Sequence, residues 1–369
     1  MNTDTYKDEI IQFQDMAKMF STKRLLPFVE QNDEYPFSVA EIDYIEDMSS
    51  LGFFSINLSH EYGGIGCGSD VIATLCLEIA QVDASIATII LNHASAITIL
   101  NMAAYDGDAT LSEIINAGSK PVAFQLYSHI NAMSLPVYDN GIINGIAKTV
   151  VCGNIADYAI IPVNNNNSIS YCCVKIDDNA VIVSEPIVML GMHACPVTDL
   201  HFNNSKASII GNAEKGSFYF EAMYARMALC AAAIIAGIMK GSFKQALIYT
   251  QQRQQGGRAI IHWPQIQMML SEMKTAIDYA ECCLQYLIPQ EKSINTHLHE
   301  LYTKSIFLTL SEMAISTTSI GVQLLGGNGY TKDYHQEKRL RDARQAKSFF
   351  GMHSLKKIDY INQYLKSIE

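Results

Sequence analysis

The spacing of apolar residues changes twice along the chain. Up to about residue 118 the apolar positions come in long blocks. The segment "LCLEIAQVDASIATIILNHASAITIL", residues 75–100, is rich in Ala and Ile and free of Pro and Gly. Such a pattern predicts helix that is buried on most sides. Upstream, Ser38 followed by Glu41 predicts a capping box. From residue 119 to 213 the runs shorten and alternate, as in "KPVAFQLY", "GIINGIAKTVV", "YAIIPV", "SISYCCVKI" and "AVIVSEPIVML". Clusters such as Asp139–Asn140–Gly141 and Asn164 to Asn167 separate them, which predicts strands and hairpins. From "EKGSFYFEAMYARMALC" onward long helical patterns return, broken at "RQQGGRAIIHWP" and "LLGGNGYTKDY". Helices, then strands, then helices predict an α+β chain in three parts (1–118, 119–213 and 214–369), not alternating βαβ units.

Composition narrows the function. The 369 residues are 49% hydrophobic and carry a formal net charge of -11. That is enough apolar material for a sizeable core, and no basic surface to hold nucleic acid. The nine cysteines contain no CxxC pair, and no metal-ligand spacing joins them to the histidines. The N-terminus "MNTDTYKDEIIQF" has no apolar signal core, so a reduced, cytoplasmic setting is expected. The richest apolar run, "ALCAAAIIAGIM" at 228–239, falls short of the roughly 18 residues of a membrane span and predicts a buried helix. "YGGIGCG" and "LGGNGY" follow no strand and lack GxGxxG spacing, so they predict turns or helix ends, not a phosphate loop.

Five segments, in order, resemble the acyl-CoA dehydrogenase family. "LGFFSINLSHEYGGIG" with "EIAQVDASIATIILNH" is similar to the family's N-terminal helical domain. "INGIAKTVVCGNIADYAIIPV" is similar to its middle β stretch. "LGMHACPVTDLHFNN" with "ASIIGNAEKGSFYF" is similar to the strands leading into the C-terminal domain. "RQQGGRAIIHWPQIQMMLSEM" and "QLLGGNGYTKDYHQEKRLRDAR" are similar to two C-terminal motifs. The resemblance implies an N-terminal helical domain, a middle β-barrel-like domain and a C-terminal four-helix bundle. It also implies FAD held between subunits of a homodimer or homotetramer, and an acyl thioester substrate on CoA or an acyl carrier protein. In the family a carboxylate removes the α-proton while hydride leaves the β-carbon for the flavin. A desolvated Glu with a raised pKa suits that task.

Residue by residue, Arg253 falls on the arginine that meets the FAD diphosphate. Gln323, Gly326 and Gly327 fall on the segment that reaches the cofactor from a neighbouring subunit. A guanidinium offers fixed donors to a diphosphate, and glycine permits close backbone approach. The base positions depart from the family. Phe350 stands where the usual glutamate belongs, and the alternative position on an early C-terminal helix falls near Met227. Neither side chain accepts a proton, and Glu221, six residues before Met227, lies about 9 Å away along a helix. The flavin loop is shortened, with Tyr127 at its Thr position. Thr149, Val150 and Val151 replace the usual W-I-T, and Trp263–Pro264 replaces F-Q. His353 is a candidate substitute base, since imidazole titrates near neutrality. Tyr127 is a candidate flavin or substrate contact.

Two functions follow. One is an FAD-dependent oxidoreductase on an acyl thioester with a non-standard base, acting on a substrate whose α-proton is already acidic. The basic residues Lys338, Arg339, Arg341, Arg344, Lys347, Lys356 and Lys357 would then face an acidic carrier protein, or form a solvated helix face. The other is a catalytically silent subunit, or a binding protein, paired with an active homologue. A flavin monooxygenase on this fold needs no α-base, but no residue argues for it.

Overall fold

The computed structural model describes residues 3–34, 43–105, 110, 112, 114, 120–131, 134–176, 179–288 and 296–368. The Ser38–Glu41 capping box lies outside the described residues. The helices are α1 (Thr3–Phe20), α2 (Val29–Asn32), α3 (Asp43–Ser50), α4 (Ser69–Ala80) and α5 (Ala84–Tyr105), then α6 (Gly216–Gln252), α7 (Pro264–Leu287), α8 (Thr296–Leu325), α9 (Gln336–Ala346) and α10 (His353–Ile368). Between the two helical groups run strands β1 (Ala123–Phe124), β2 (Val137–Asp139), β3 (Ile142–Val151), β4 (Tyr158–Asn165), β5 (Ser168–Lys175), β6 (Val181–Val183), β7 (Val197–Lys206) and β8 (Ser208–Ile209). A small hairpin, β9 (Gln254–Gln255) and β10 (Arg258–Ala259), follows α6.

The apolar block at 75–100 is two helices, not one. Asp83 accepts the Ser85 N–H at 2.9 Å and so caps the start of α5. The break was written in Asp83 and Ser85, not in a Gly or Pro. Helices Ala84–Ala104, Gly216–Gln252 and His297–Tyr330 are long and apolar enough, by length and composition, to cross a membrane. Counting unbroken apolar runs missed them, because scattered Ser, Thr and Asn interrupt the runs. Their most apolar windows are 89%, 89% and 50% buried inside the protein.

The first eight strands form one sheet in the order β6-β7-β3-β1-β4-β5-β8, with β2 paired to both β3 and β4. β1 and β2 share one slot, each antiparallel to β3 and parallel to β4. The segment between them therefore leaves the sheet as a loop, and this loop carries Tyr127. One face of the sheet joins the main core with α4, α5 and α6. The other buries Ile143, Val150, Ile161, Val174, Leu200 and Phe202 against one another, and no helix residue is in that cluster. A flat sheet would leave such a face wet, so the sheet curls around its own core.

A buried charged cluster ties the parts together. Lys338 Nζ on α9 donates to Asp83 at 3.0 Å and to Asp342 at 2.7 Å. Asp342 also accepts the Met192 N–H at 2.6 Å, reaching the segment before β7. Beside it, Arg341 donates to Asp33 and to Glu337, and His193 Nδ1 lies 3.2 Å from Asp33. Burial alone would raise the Asp33 carboxyl. The hydrogen bonds from His193 and Arg341 outweigh it and hold the carboxyl well below its usual range. The same bond raises the His193 imidazole.

Candidate functional site

The β9–β10 hairpin shapes one candidate region. Gly256 and Gly257 both have positive φ, as a two-residue type I′ turn requires. A Cβ on Gly256 would stand 2.8 Å from the Trp263 ring. That ring is held by its Nε1 donating to Gln255 O at 3.2 Å, with the Arg258 guanidinium 4.0 Å above it. Pro264 then opens α7 at its first turn, where a missing N–H costs nothing. Across from the hairpin, α8 ends at Gly326, whose φ of 57° is the left-handed geometry of a helix stop.

These elements enclose a cavity of about 800 Å³ lined by Arg253, Gln323, Gly326 and Gly327, with Tyr249, Trp263 and Asn328 among the other walls. Four residues singled out from the sequence, drawn from segments some 70 residues apart, thus meet at one place. All four are exposed, and the Arg253 guanidinium makes no hydrogen bond or ion pair among the described residues. A Cβ on Gly326 or Gly327 would meet nothing within 4 Å, so the space beside them is open. The set fits the diphosphate end of the FAD that the resemblance implies: an unpaired guanidinium, an amide side chain and bare backbone.

The second region lies around Phe350, and it is closed. Phe349 and Phe350 are both fully buried. Phe350 has a φ of 59°, unusual for a bulky residue, and is fixed by its N–H donating to Leu126 O at 2.7 Å. Its ring packs 5.0 Å from Tyr224 and 6.1 Å from Phe307, centroid to centroid. Tyr127 stacks on Phe349 at 5.7 Å, with its hydroxyl 3.5 Å from Met192 Sδ. Met227, three residues after Tyr224 on α6, is 2% exposed. Burial, then the charges of Glu221 and Asp359, raise the Tyr224 hydroxyl, and Asp359 is engaged with His129 at 2.8 Å. Glu221 is engaged with Lys304 at 3.3 Å and with Gln363 at 2.9 Å.

The loop beside it is drawn tight. Gln125 Nε2 donates to Lys148 O at 2.7 Å, and Ser128 Oγ lies 3.2 Å from Thr149 Oγ1. These two contacts hold the loop against β3. Tyr127 belongs to this closed region and does not line the Arg253 cavity.

His353 sits at the start of α10, where its Nε2 is 3.1 Å from Glu312. Burial, then Lys356, Lys347 and Lys357, push its imidazole down to about 4. It is neutral near pH 7 and turned toward that charged group on α8. Lys356 itself is buried and donates to Phe349 O at 2.6 Å and Lys347 O at 2.8 Å. Burial, then Lys347, bring its ammonium down to about 7. The expected basic face does not form. Lys338 and Lys356 are buried, Arg339 and Arg341 are partly buried, and Lys347 pairs with Glu312 at 2.8 Å. Only Arg344 and Lys357 of the seven stand exposed. Tyr224, Phe307 and Lys356 were not singled out from the sequence as packing around Phe350. Tyr224 was within reach of a helical count from Met227, but nothing local marks Phe307.

None of the nine cysteines forms a disulfide, and seven are buried. Among the described residues no cluster of His, Cys, Asp and Glu could hold a metal ion.

Comparison with known proteins gives a consistent result. The profile of the acyl-CoA dehydrogenase N-terminal domain matches residues 7–113, and that of the C-terminal domain matches residues 215–357. The chain is 27% identical to an acyl-CoA dehydrogenase of Bacillus subtilis, covering 97% of this chain and 98% of the relative. It is 24% identical to cyclohex-1-ene-1-carbonyl-CoA dehydrogenase of Syntrophus aciditrophicus, over 96% and 89% of the two chains. Among solved structures, butyryl-CoA dehydrogenase from Megasphaera elsdenii superposes with a TM-score of 0.84 at 20% identity, over 96% and 98% of the chains. The prolyl acyl carrier protein oxidase AnaB superposes with a TM-score of 0.83 at 20% identity, over 98% and 99%.

Proposed function

The chain belongs to the acyl-CoA dehydrogenase family, and from that premise we propose that it is an FAD-dependent oxidoreductase of acyl thioesters that lacks a carboxylate base. The meeting of Arg253, Gln323, Gly326 and Gly327 around one open cavity carries this reading. Arg253 would pair with the diphosphate, and the bare backbone at Gly326 and Gly327 would let it lie close. FAD, when bound, supplies the acceptor for a hydride from the substrate. The chain's own contribution at the α-carbon is apolar: Phe350 and Met227 take no proton, so the α-proton would pass to water. The substrate is accordingly one whose α-proton is acidic without enzymic help, carried on CoA or an acyl carrier protein. The chain would work as a homodimer or homotetramer, because the diphosphate cavity opens on the surface, away from Phe350.

A second reading rests on the 3.2 Å contact between Ser128 and Thr149. If that loop stays shut, the chain is a silent subunit whose Arg253 cavity serves the flavin of an active homologue. An absorbance spectrum between 300 and 550 nm, with and without added FAD, separates the two. A stoichiometric flavin band in the protein alone supports the enzyme. A band that appears only when a homologous chain is co-expressed supports the silent subunit. No band in either sample overturns both.

A further inference from the structure

A different cavity, of about 460 Å³, lies between the N-terminal helices and α6. Its walls are the loop from Asn57 to Ser69, the later turns of α5 at Thr98, Asn101 and Ala104, and Arg226 with Met227 on α6. It shares no lining residue with the Arg253 cavity.

The loop is built to hold its shape. Ile65, Gly66 and Cys67 donate their N–H groups to Ser55 O, Leu58 O and Ile56 O at 2.9, 2.8 and 2.8 Å. Gly64 packs so closely on Leu58 that a Cβ would stand 2.1 Å from its carbonyl oxygen. Asn101 Nδ2 donates to Asn57 O at 2.7 Å, which fixes that amide's orientation and ties α5 to the loop. A wall fixed before binding loses little entropy when a ligand arrives.

The charges on this wall are opposite and unspent. Arg226 and Glu61 both line the cavity, and neither makes an ion pair among the described residues, with each other or with any third group. Acceptors gather with Glu61. His60 Nδ1 lies 3.1 Å from Gly64 O, and a carbonyl can only accept, so Nδ1 carries the proton and Nε2 of the neutral ring is an acceptor. Tyr62 and Ala104, both half-buried, add apolar surface.

We propose that this cavity binds a free amino acid with an apolar side chain. The carboxylate pairs with Arg226, whose planar fork suits it. The ammonium pairs with Glu61 and the His60 acceptor, and the side chain lies along Tyr62 and Ala104. A simple anion would leave Glu61 repelling it, and a simple cation would face Arg226. Only a ligand with both charges satisfies both walls.

The test is calorimetric titration of the whole protein with L-leucine, L-methionine and L-phenylalanine, alongside isovalerate and isoamylamine, which each keep one charge. At least one amino acid binds with a micromolar to low-millimolar Kd, and either single-charge analogue binds at least about tenfold more weakly. Arg226→Gln and Glu61→Gln each weaken the amino acid at least about tenfold, with unchanged melting because both side chains are exposed. The proposal is overturned if no amino acid binds at 10 mM. It is also overturned if isovalerate binds as well as leucine, or if either variant binds as the parent does.

Discussion

The Arg253 cavity and the Phe350 cluster differ in almost every physical respect. The first is open, polar and lined by exposed residues, with a guanidinium that has no partner. The second is sealed, aromatic and fully buried, with every ring packed on another. One has the features of a ligand site, and the other those of a core. The Phe350 ring packs with Tyr224 and Phe307 in an arrangement that a carboxylate could not join without a partner.

The sharpest way to break the contrast is to put the carboxylate back. Phe350→Glu removes a buried ring and buries an acid in its place. The account expects a loss of about 5 kcal/mol in chemical denaturation. A variant as stable as the parent would show that the site is an adaptable pocket and not a core. Next comes the clamp that holds the parts around both regions. Asp342→Asn weakens the buried pair with Lys338 and should cost about 3 kcal/mol, read in the same way.

Arg253→Gln tests the open side. FAD affinity, measured by quenching of its fluorescence, should fall on the order of tenfold or more, with no change in melting because Arg253 is exposed. Equal affinity would remove the cavity from the cofactor's path. The smallest effect is that of pH on the Asp33–His193 pair. The folded imidazole is raised above its usual 6.5. Its stabilisation is complete below 6.5 and is lost as pH rises through the folded value. Asp33 is depressed, so its stabilisation holds above the ordinary carboxylate range and is lost only as the solution becomes strongly acidic. Denaturation between pH 6 and 9 should show a decline that Asp33→Asn abolishes.

Much of this was legible in the sequence. The change of period near residues 119 and 213 marks where helices give way to strands and return, since each element must bury its own apolar face. Arg253 and Gln323 could be named because motif spacing preserves them, and helix α8 delivers one to the other. The helix break at Asp83 was hidden because a polar cap, not a Gly or Pro, makes it. The packing partners of Phe350 were hidden because Phe307 comes from a helix over 40 residues away. The misread basic stretch has the same cause: Lys338 and Lys356 look solvated in one dimension, but buried carboxylates and carbonyls hold them.

The most direct test of the contrast is α-hydrogen exchange. Butyryl-CoA would be incubated in D₂O with the FAD-loaded protein, without electron acceptor, and followed by NMR. No exchange above the uncatalysed rate is expected, because neither Phe350 nor Met227 takes a proton from the α-carbon. Rapid exchange by the unaltered protein would mean that a base reaches the α-carbon, and that the Phe350 cluster opens to admit it.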